Sequence, residues 1–442
     1  MANSSAISGR IGAVSSGQRH LAQWLFVLVY LVGMLDRSIL TVLLHLIKLE
    51  FHLSDTQLGF ISGMAFSLAY AAAAVPMGLV ADRMRRRTML ALIVFLWSAL
   101  TFVSGLAPSF LLLCLARFGV GFAEAGQPPL VMSLVGDLFA RDRRATAISL
   151  IYIGVPAGAL VGFLLAGGIA AAYGWRIALM GAGVPGMVLA AAILLFLREP
   201  VRGQLDDRPP EGETEKLGLR EGWRYLRSHR ALMHVLAAAG AASIISSSMS
   251  VWLPSLIMRR HGVGIEVAGP ALAISMGVFG IVGALFGGPV ADRIGRGSMP
   301  RIAVITALMM ATMFPLACIC FAGPNVATMV LFNGLFNMLV PGYLAGLHVL
   351  VIGLTAAHAR GFMISLLAIM FTLVGYGVGS QLIGMLSDGL AAQGVQNPLL
   401  VALLLCTGTL IWASLHLLRA ARILRRSDET EPQSLTPSEV VS

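Results

Sequence analysis

The sequence predicts an all-α membrane protein with twelve transmembrane helices in two pseudo-symmetric six-helix bundles. Three observations lead there. Apolar residues make up 57% of the 442-residue chain and charged residues only 12%, a balance that water-facing surfaces do not have. Runs of about 20 largely apolar residues, the length that crosses a bilayer, recur between charged or turn-rich breaks. Finally, two loop segments of the first half return in the second half at nearly one spacing.

A polar tail over 1–20, with Ser4, Ser5, Arg10, Ser15 and Ser16, precedes the first apolar run at 22–46. No small-residue cleavage site follows that run, so it reads as an uncleaved first helix. Runs at 57–80, 88–107, 110–138, 146–172 and 176–197 complete a first bundle spanning 21–200. The longest polar break starts at Arg198 and supplies a charged linker over 201–230. Runs at 232–257, 267–290, 302–322, 325–356, 362–386 and 397–419 form a second bundle over 231–422, and a polar tail covers 423–442. The 49 glycines lie within apolar runs without a Gly-X-Y period, as packed membrane helices require. Cys114, Cys318, Cys320 and Cys406 also lie in apolar runs and make no CxxC pair, so they read as packing residues.

Positive charge resists translocation, so its distribution sets the orientation. Of the 31 Lys and Arg, 25 fall on the side of the amino terminus and only Lys48, Arg176, Arg259 and Arg260 on the other. Both termini are therefore expected in the cytoplasm. The net charge of +10 reflects this topology and calls for no nucleic-acid partner, because the basic residues are split among short loops. The repeats support the two-bundle arrangement. GLVADRMRRR at 78–87 returns as GPVADRIGRG at 288–297, and Arg144-Ala-Thr-Ala-Ile-Ser149 is echoed by Arg360-Gly-Phe-Met-Ile-Ser365. Duplication of this kind marks secondary transporters, whose substrate site lies near mid-membrane between the repeats.

Gly78-x-x-x-Asp82-Arg83 and Gly288-x-x-x-Asp292-Arg293-x-Gly295-Arg296 resemble the loop signature of the major facilitator superfamily. The resemblance implies a cytoplasmic latch in which Asp82 engages Arg360–Gly361 and Asp292 engages Arg144–Ala145. The first copy departs from the pattern, since Arg85 stands where a second glycine belongs. Asp36–Arg37, the segment Leu53-Ser-Asp-Thr-Gln-Leu-Gly59, and Arg117-Phe-Gly-Val-Gly-Phe-Ala-Glu124 together resemble the spinster branch. Gly174–Trp175–Arg176, Arg198–Glu199–Pro200 and Ser387–Asp388 resemble it too. Organic-anion:cation symporters of the same superfamily share the Asp-Arg pair and the Arg/Glu arrangement of the fourth span.

Charges inside a bilayer are costly, and Asp36, Arg37, Arg117 and Glu124 are the four placed well within apolar runs. At 1.5 Å per residue, Asp36 and Glu124 both come near mid-depth, and Arg117 and Glu124, seven apart, share nearly one helix face. The functional reading is proton coupling: Glu124 is the first choice of proton carrier and Asp36 the second, with titration belonging to the pair if the two interact. Arg117 would neutralise the deprotonated acid or bind an anionic headgroup, and Arg37 would do either. The alternative is an ion network that fixes helix packing and never titrates. Pro128 and Pro129 predict a kink, and Gly119, Gly121 and Gly126 thin the helix wall for a neighbouring helix or a substrate.

The second bundle offers mid-span only neutral groups such as Ser246, Ser247, Ser248, Asn333, Asn337, Tyr343 and His348, and a lone histidine on an apolar helix is most often a packing residue. A charged wall facing a neutral one suits an amphiphile. No HExxH, G-x-S-x-G or GxxxxGK[ST] motif occurs, so an enzyme is not expected, nor is a cofactor or a metal. The sequence thus predicts a proton-coupled, alternating-access carrier in a bacterial inner membrane, functioning as a monomer. The spinster-like resemblance implies a lysophospholipid or sphingoid-phosphate-like cargo, and a small organic anion or a drug is the alternative.

Overall fold

The computed structural model describes residues 15–140, 143–201, 218–285 and 298–430, and these are helical apart from short connections. Helix α1 spans Ser16–Phe51; the Ser15 side chain accepts a hydrogen bond from Gln18 N at its start, and His52, with φ 53°, ends it. Helix α2 runs over 55–83 as Asp55–Gly59, a wider π turn at Phe60–Met64, and Ala65–Arg83. Helix α3 is Arg86–Gly105. Helix α4 consists of Phe110–Glu124 and Gln127–Leu138, capped by Ser109 and interrupted at Ala125–Gly126 just before the two prolines.

Arg144–Tyr152 and Gly154–Phe196 follow as one nearly continuous helical stretch that bends at Gly174, where φ is 82°. Only glycine adopts that conformation readily, so the bend separates α5 (144–173) from α6 (175–196). A short amphipathic α7, Leu219–Ser228, precedes α8, Arg230–His261. Helix α9 comprises Ile265–Leu272 and a π turn at Ala273–Val278, and continues to Leu285. Helices α10 (Met299–Ala322), α11 (Val326–Gly353), α12 (Arg360–Ala392) and α13 (Pro398–Thr430) complete the described chain. Eleven described stretches are long and apolar enough to cross a membrane, and the bend at Gly174 divides one of them into two. Twelve spans result.

By packing, the chain divides into two compact units. The first contains residues 1–53, 60–212 and 263–273, and the second 54–59, 213–262 and 274–442. Each unit thus includes the opening turns of a helix whose remainder belongs to the other unit: 55–59 of α2 in the second, 265–273 of α9 in the first. In both helices a π turn sits at or beside the crossing point.

Within the first unit, Phe26, Val94, Trp97, Leu130 and Ile193 pack into one buried apolar cluster. Helix α1 reaches α5 unusually closely. A Cβ at Gly154 would come within 3.0 Å of Leu31 N, one at Gly158 within 3.0 Å of Leu31 C, and one at Gly162 within 3.0 Å of Ser38 Cβ. Glycines every four residues make a groove along one side of α5, and α1 lies in it. That groove fixes the rotation of α1 and so the directions of Asp36 and Arg37. In the second unit, Trp252 is fully buried and its Nε1 donates to Ser380 O at 3.3 Å, tying α8 to α12.

Candidate functional site: a four-charge cluster in the first unit

The structure brings Asp36 and Arg37 of α1 together with Arg117 and Glu124 of α4. The pairing crosses between the helices. Arg37 donates from Nε to Glu124 Oε2 at 2.8 Å and from Nη2 to the same oxygen, while its guanidinium lies 4.5 Å from the centre of the Phe66 ring. Asp36 Oδ2 accepts from Thr101 Oγ1 of α3 at 2.6 Å and faces Arg117 Nη1 at 3.9 Å. Two acids and two bases leave the cluster formally neutral, which limits the cost of burying it.

The two pairs differ in burial. Side chains of Asp36 and Arg117 are each 2% exposed, whereas Arg37 is 30% exposed beside a Glu124 that is only 1% exposed. Arg37 and Glu124 line a cavity of about 180 Å³ together with Tyr30, Tyr70, Gln127 and Pro128; Asp36 and Arg117 stand outside its wall. Several polar atoms in the cluster have no hydrogen-bond partner among the described residues: Asp36 Oδ1, Arg117 Nε and Nη1, and Glu124 Oε1. Buried polar atoms normally find partners, so these four atoms set the cluster apart from most buried polar groups.

Glycines near the cluster serve neighbouring helices. A Cβ at Gly121 would lie 3.0 Å from Phe66 Cα, one at Gly119 2.8 Å from Leu100 Cδ1, and one at Gly126 2.9 Å from Met77 Cε. The break at Ala125–Gly126 falls directly after Glu124, so the last turn before the break aims that carboxylate into the cavity.

A family model of the Major Facilitator Superfamily matches residues 26–380. The chain belongs to this superfamily. A member of it is a transporter, not an enzyme. Over 402 residues the chain is 29% identical to an MFS-type efflux pump of Mycolicibacterium smegmatis, covering 90% of this chain and 92% of that protein. Over 237 residues it is 29% identical to a sphingosine-1-phosphate transporter of Danio rerio, covering 52% of this chain and 46% of that one; the match thus spans about half of either protein. The crystal structure of a bacterial homologue of the human lysosomal transporter spinster, inward-facing and unoccupied, superposes with a TM-score of 0.81 at 23% identity, covering 93% of this chain and 98% of the other. The fold is that of the superfamily.

The superfamily loop signature is only partly visible. Gly78, Asp82 and Arg83 lie on the helical backbone of α2, and the described residues do not include their side chains. Gly288, Asp292 and Arg293 lie outside the described residues. Arg144 and Arg360 are described, and the repeat extends to their bonding. Each Nε donates to the carbonyl five residues before it, Phe139 O at 3.1 Å and Thr355 O at 3.2 Å.

Sequence reasoning passed over several residues that the structure places at or near this machinery. Thr101 belongs to Ser98, Thr101 and Ser104, which recur every three residues on one side of an apolar helix, a signal that was available. Tyr30, Tyr70 and Gln127 carried no such signal. Arg86 is 2% exposed: it pairs with Asp137 and, from Nε at 3.1 Å, with Glu199. Within the second unit, Asp55 receives Arg259 from Nη1 and Nη2 at 2.8 Å and Ser387 Oγ at 2.6 Å, while Asp388 accepts from Thr56 N and Oγ1. There the segment Ser54-Asp-Thr seen in the sequence meets Ser387–Asp388.

The neutral groups of the second unit form their own ladder. Tyr343 OH donates to Ser246 Oγ at 3.0 Å, Asn333 Nδ2 to Ser275 Oγ at 2.8 Å, and Asn337 Nδ2 to Asn333 Oδ1 at 3.0 Å. His348, exposed on α11, bonds the Leu344 carbonyl through Nδ1 at 2.8 Å.

Proposed function

We propose that this transporter is proton-coupled, works by alternating access and moves a lysophospholipid or sphingoid-phosphate-like amphiphile. The observation that carries this reading is the Arg37–Glu124 pair on the wall of the first-unit cavity, with Glu124 Oε1 still unpartnered. A proton on Glu124 removes the charge that Arg37 pairs with there, and the guanidinium then meets an anionic headgroup in the cavity. Release of the cargo restores the Arg37–Glu124 pair and expels the proton. Asp36 is the second titrating acid, coupled to the first through the shared cluster, and Arg117 is its counter-charge. Similarity to a sphingosine-1-phosphate transporter over half of the chain supports an amphiphilic cargo.

In this reading the protein sits as a monomer in a bacterial inner membrane with both termini in the cytoplasm, and the halves 21–200 and 231–422 are joined by the linker 201–230. The loop signature, Gly78, Asp82, Arg83 and Gly288, Asp292, Arg293 with Arg144 and Arg360, acts as the cytoplasmic latch. A small organic anion or a drug is the second reading, favoured by the efflux pump that matches 90% of the chain. Purified protein in liposomes holding a pH-sensitive dye decides between them: challenge with lysophosphatidylcholine, a sphingoid phosphate and a panel of small anions and drugs. Proton movement evoked only by amphiphiles supports the first reading. Movement evoked only by small anions or drugs replaces it with the second.

A further inference from the structure

A second cluster of basic residues lies in the second unit, and the transport reading makes no use of it. On α13, Trp412, His416, Arg419, Arg422 and Arg426 follow one another at intervals of three or four and so share one helix face. From α8, His234 joins this face, its Nδ1 lying 2.8 Å from His416 Nδ1. One of the two nitrogens must carry the proton. The accepting ring, when neutral, then carries its own proton on Nε2, so the pair keeps an N–H donor to offer. The Trp412 ring meets His416 edge to face at 5.1 Å.

Two adjoining cavities open here. One, of about 300 Å³, is lined by Trp412, His416, Arg419 and Arg422; the other, of about 190 Å³, by His234, Arg419, Arg422 and Arg426. No Asp or Glu lines either cavity. Arg419 and Arg422 contribute to both and make no ion pair among the described residues. Toward the apolar part of α13 the same face exposes Trp412 and Leu415, 54% and 53% accessible. Down this face the helix passes from lipid-like surface through an amphipathic indole to imidazoles and guanidiniums. Trp412 and Arg422 are ten residues apart, about 15 Å of rise, which matches the passage from acyl chain through glycerol to phosphate.

We propose that this face is a binding site for an anionic glycerophospholipid of the surrounding leaflet, its phosphodiester held by Arg419, Arg422 and the His234–His416 pair and its acyl chain lying along Trp412 and Leu415. Simple attraction of basic residues to a charged surface needs only charge near the interface. This site adds convergence of two helices, a fixed imidazole pair and a concave floor, and so predicts a discrete, saturable stoichiometry.

Native mass spectrometry of the purified full chain tests it. Released from nanodiscs of phosphatidylglycerol and phosphatidylcholine, the wild type should retain one phosphatidylglycerol in preference to phosphatidylcholine. Arg419→Gln with Arg422→Gln should weaken that retention by roughly thirtyfold. Arg425→Gln, which removes a charge from a residue lining neither cavity, should leave it within about twofold. Replacing His416 with Phe should weaken retention with all arginines present. Equal retention in the double variant, equal loss in Arg425→Gln, or full displacement of the lipid by millimolar inorganic phosphate would each overturn the proposal. Thermal unfolding in lipid-free detergent, unchanged by the double variant, separates loss of lipid from loss of fold.

Discussion

Asp36 and Glu124 are both carboxylates near the middle of the first unit, both buried, and each faces an arginine from the other's helix, yet their surroundings differ. Glu124 shares one oxygen with Arg37 on a cavity wall, and Arg37 is nearly one-third exposed. Asp36 is enclosed between Arg117 and Thr101, outside that wall. The difference arises because Asp36 and Arg37 are consecutive on a helix and point about 100° apart, so one turns inward while its neighbour turns to the cavity. A charge that must exchange partners needs access, whereas one that holds a scaffold needs enclosure. Glu124 reaches the cavity and Asp36 does not, which is why Asp36 ranks second to Glu124 as the proposed titrating acid.

The largest expected effect breaks the enclosed pair. Arg117→Ala leaves the buried Asp36 without its cation and should destabilise the protein by about 3–5 kcal/mol, read as a large drop in the thermal midpoint in detergent. Arg117→Lys should recover much of this loss. Equal stability of both variants with wild type would mean that the pair contributes nothing to the fold. Arg37→Ala removes the exposed partner, so its stability loss should be clearly smaller than that of Arg117→Ala, while amphiphile-driven proton flux disappears. If its flux survives, Arg37 has no part in coupling.

A smaller effect sharpens the role of α3. Thr101→Val deletes the hydroxyl that donates to Asp36 and should cost about 1.5–3 kcal/mol of stability without changing which substrates evoke flux. The smallest belongs to the second unit: Tyr343→Phe removes the bond to Ser246 and should cost about 1 kcal/mol or less, with proton coupling intact. Loss of coupling in Tyr343→Phe would place part of the proton path in the neutral ladder and weaken the contrast between the two units.

Fold class was legible because bilayer length and charge exclusion act on each span separately, as in the run that became α3. Boundaries inside compound helices were less legible. The bend at Gly174 falls between the runs 146–172 and 176–197 and the break at Ala125–Gly126 beside the expected kink at Pro128–Pro129, but the π turns at Phe60–Met64 and Ala273–Val278 leave no composition signal. The four interior charges stood out because each is expensive in an apolar run. Who pairs with whom was not readable, since it depends on the rotation of α1 in the Gly154, Gly158 and Gly162 groove and on the approach of Phe66 to Gly121. The partners of Arg86 were not readable for a similar reason: Asp137 and Glu199 are 51 and 113 residues away, and sequence periodicity carries no information at that separation.

The most direct test of the central claim compares Glu124→Gln with Asp36→Asn in dye-loaded liposomes under an imposed pH gradient, with substrate binding measured in parallel. The account predicts that Glu124→Gln binds amphiphile but moves no protons with it, while Asp36→Asn, though less stable, keeps part of the coupling. Undiminished proton flux in Glu124→Gln together with its loss in correctly folded Asp36→Asn would contradict the account and assign the carrier to the enclosed acid.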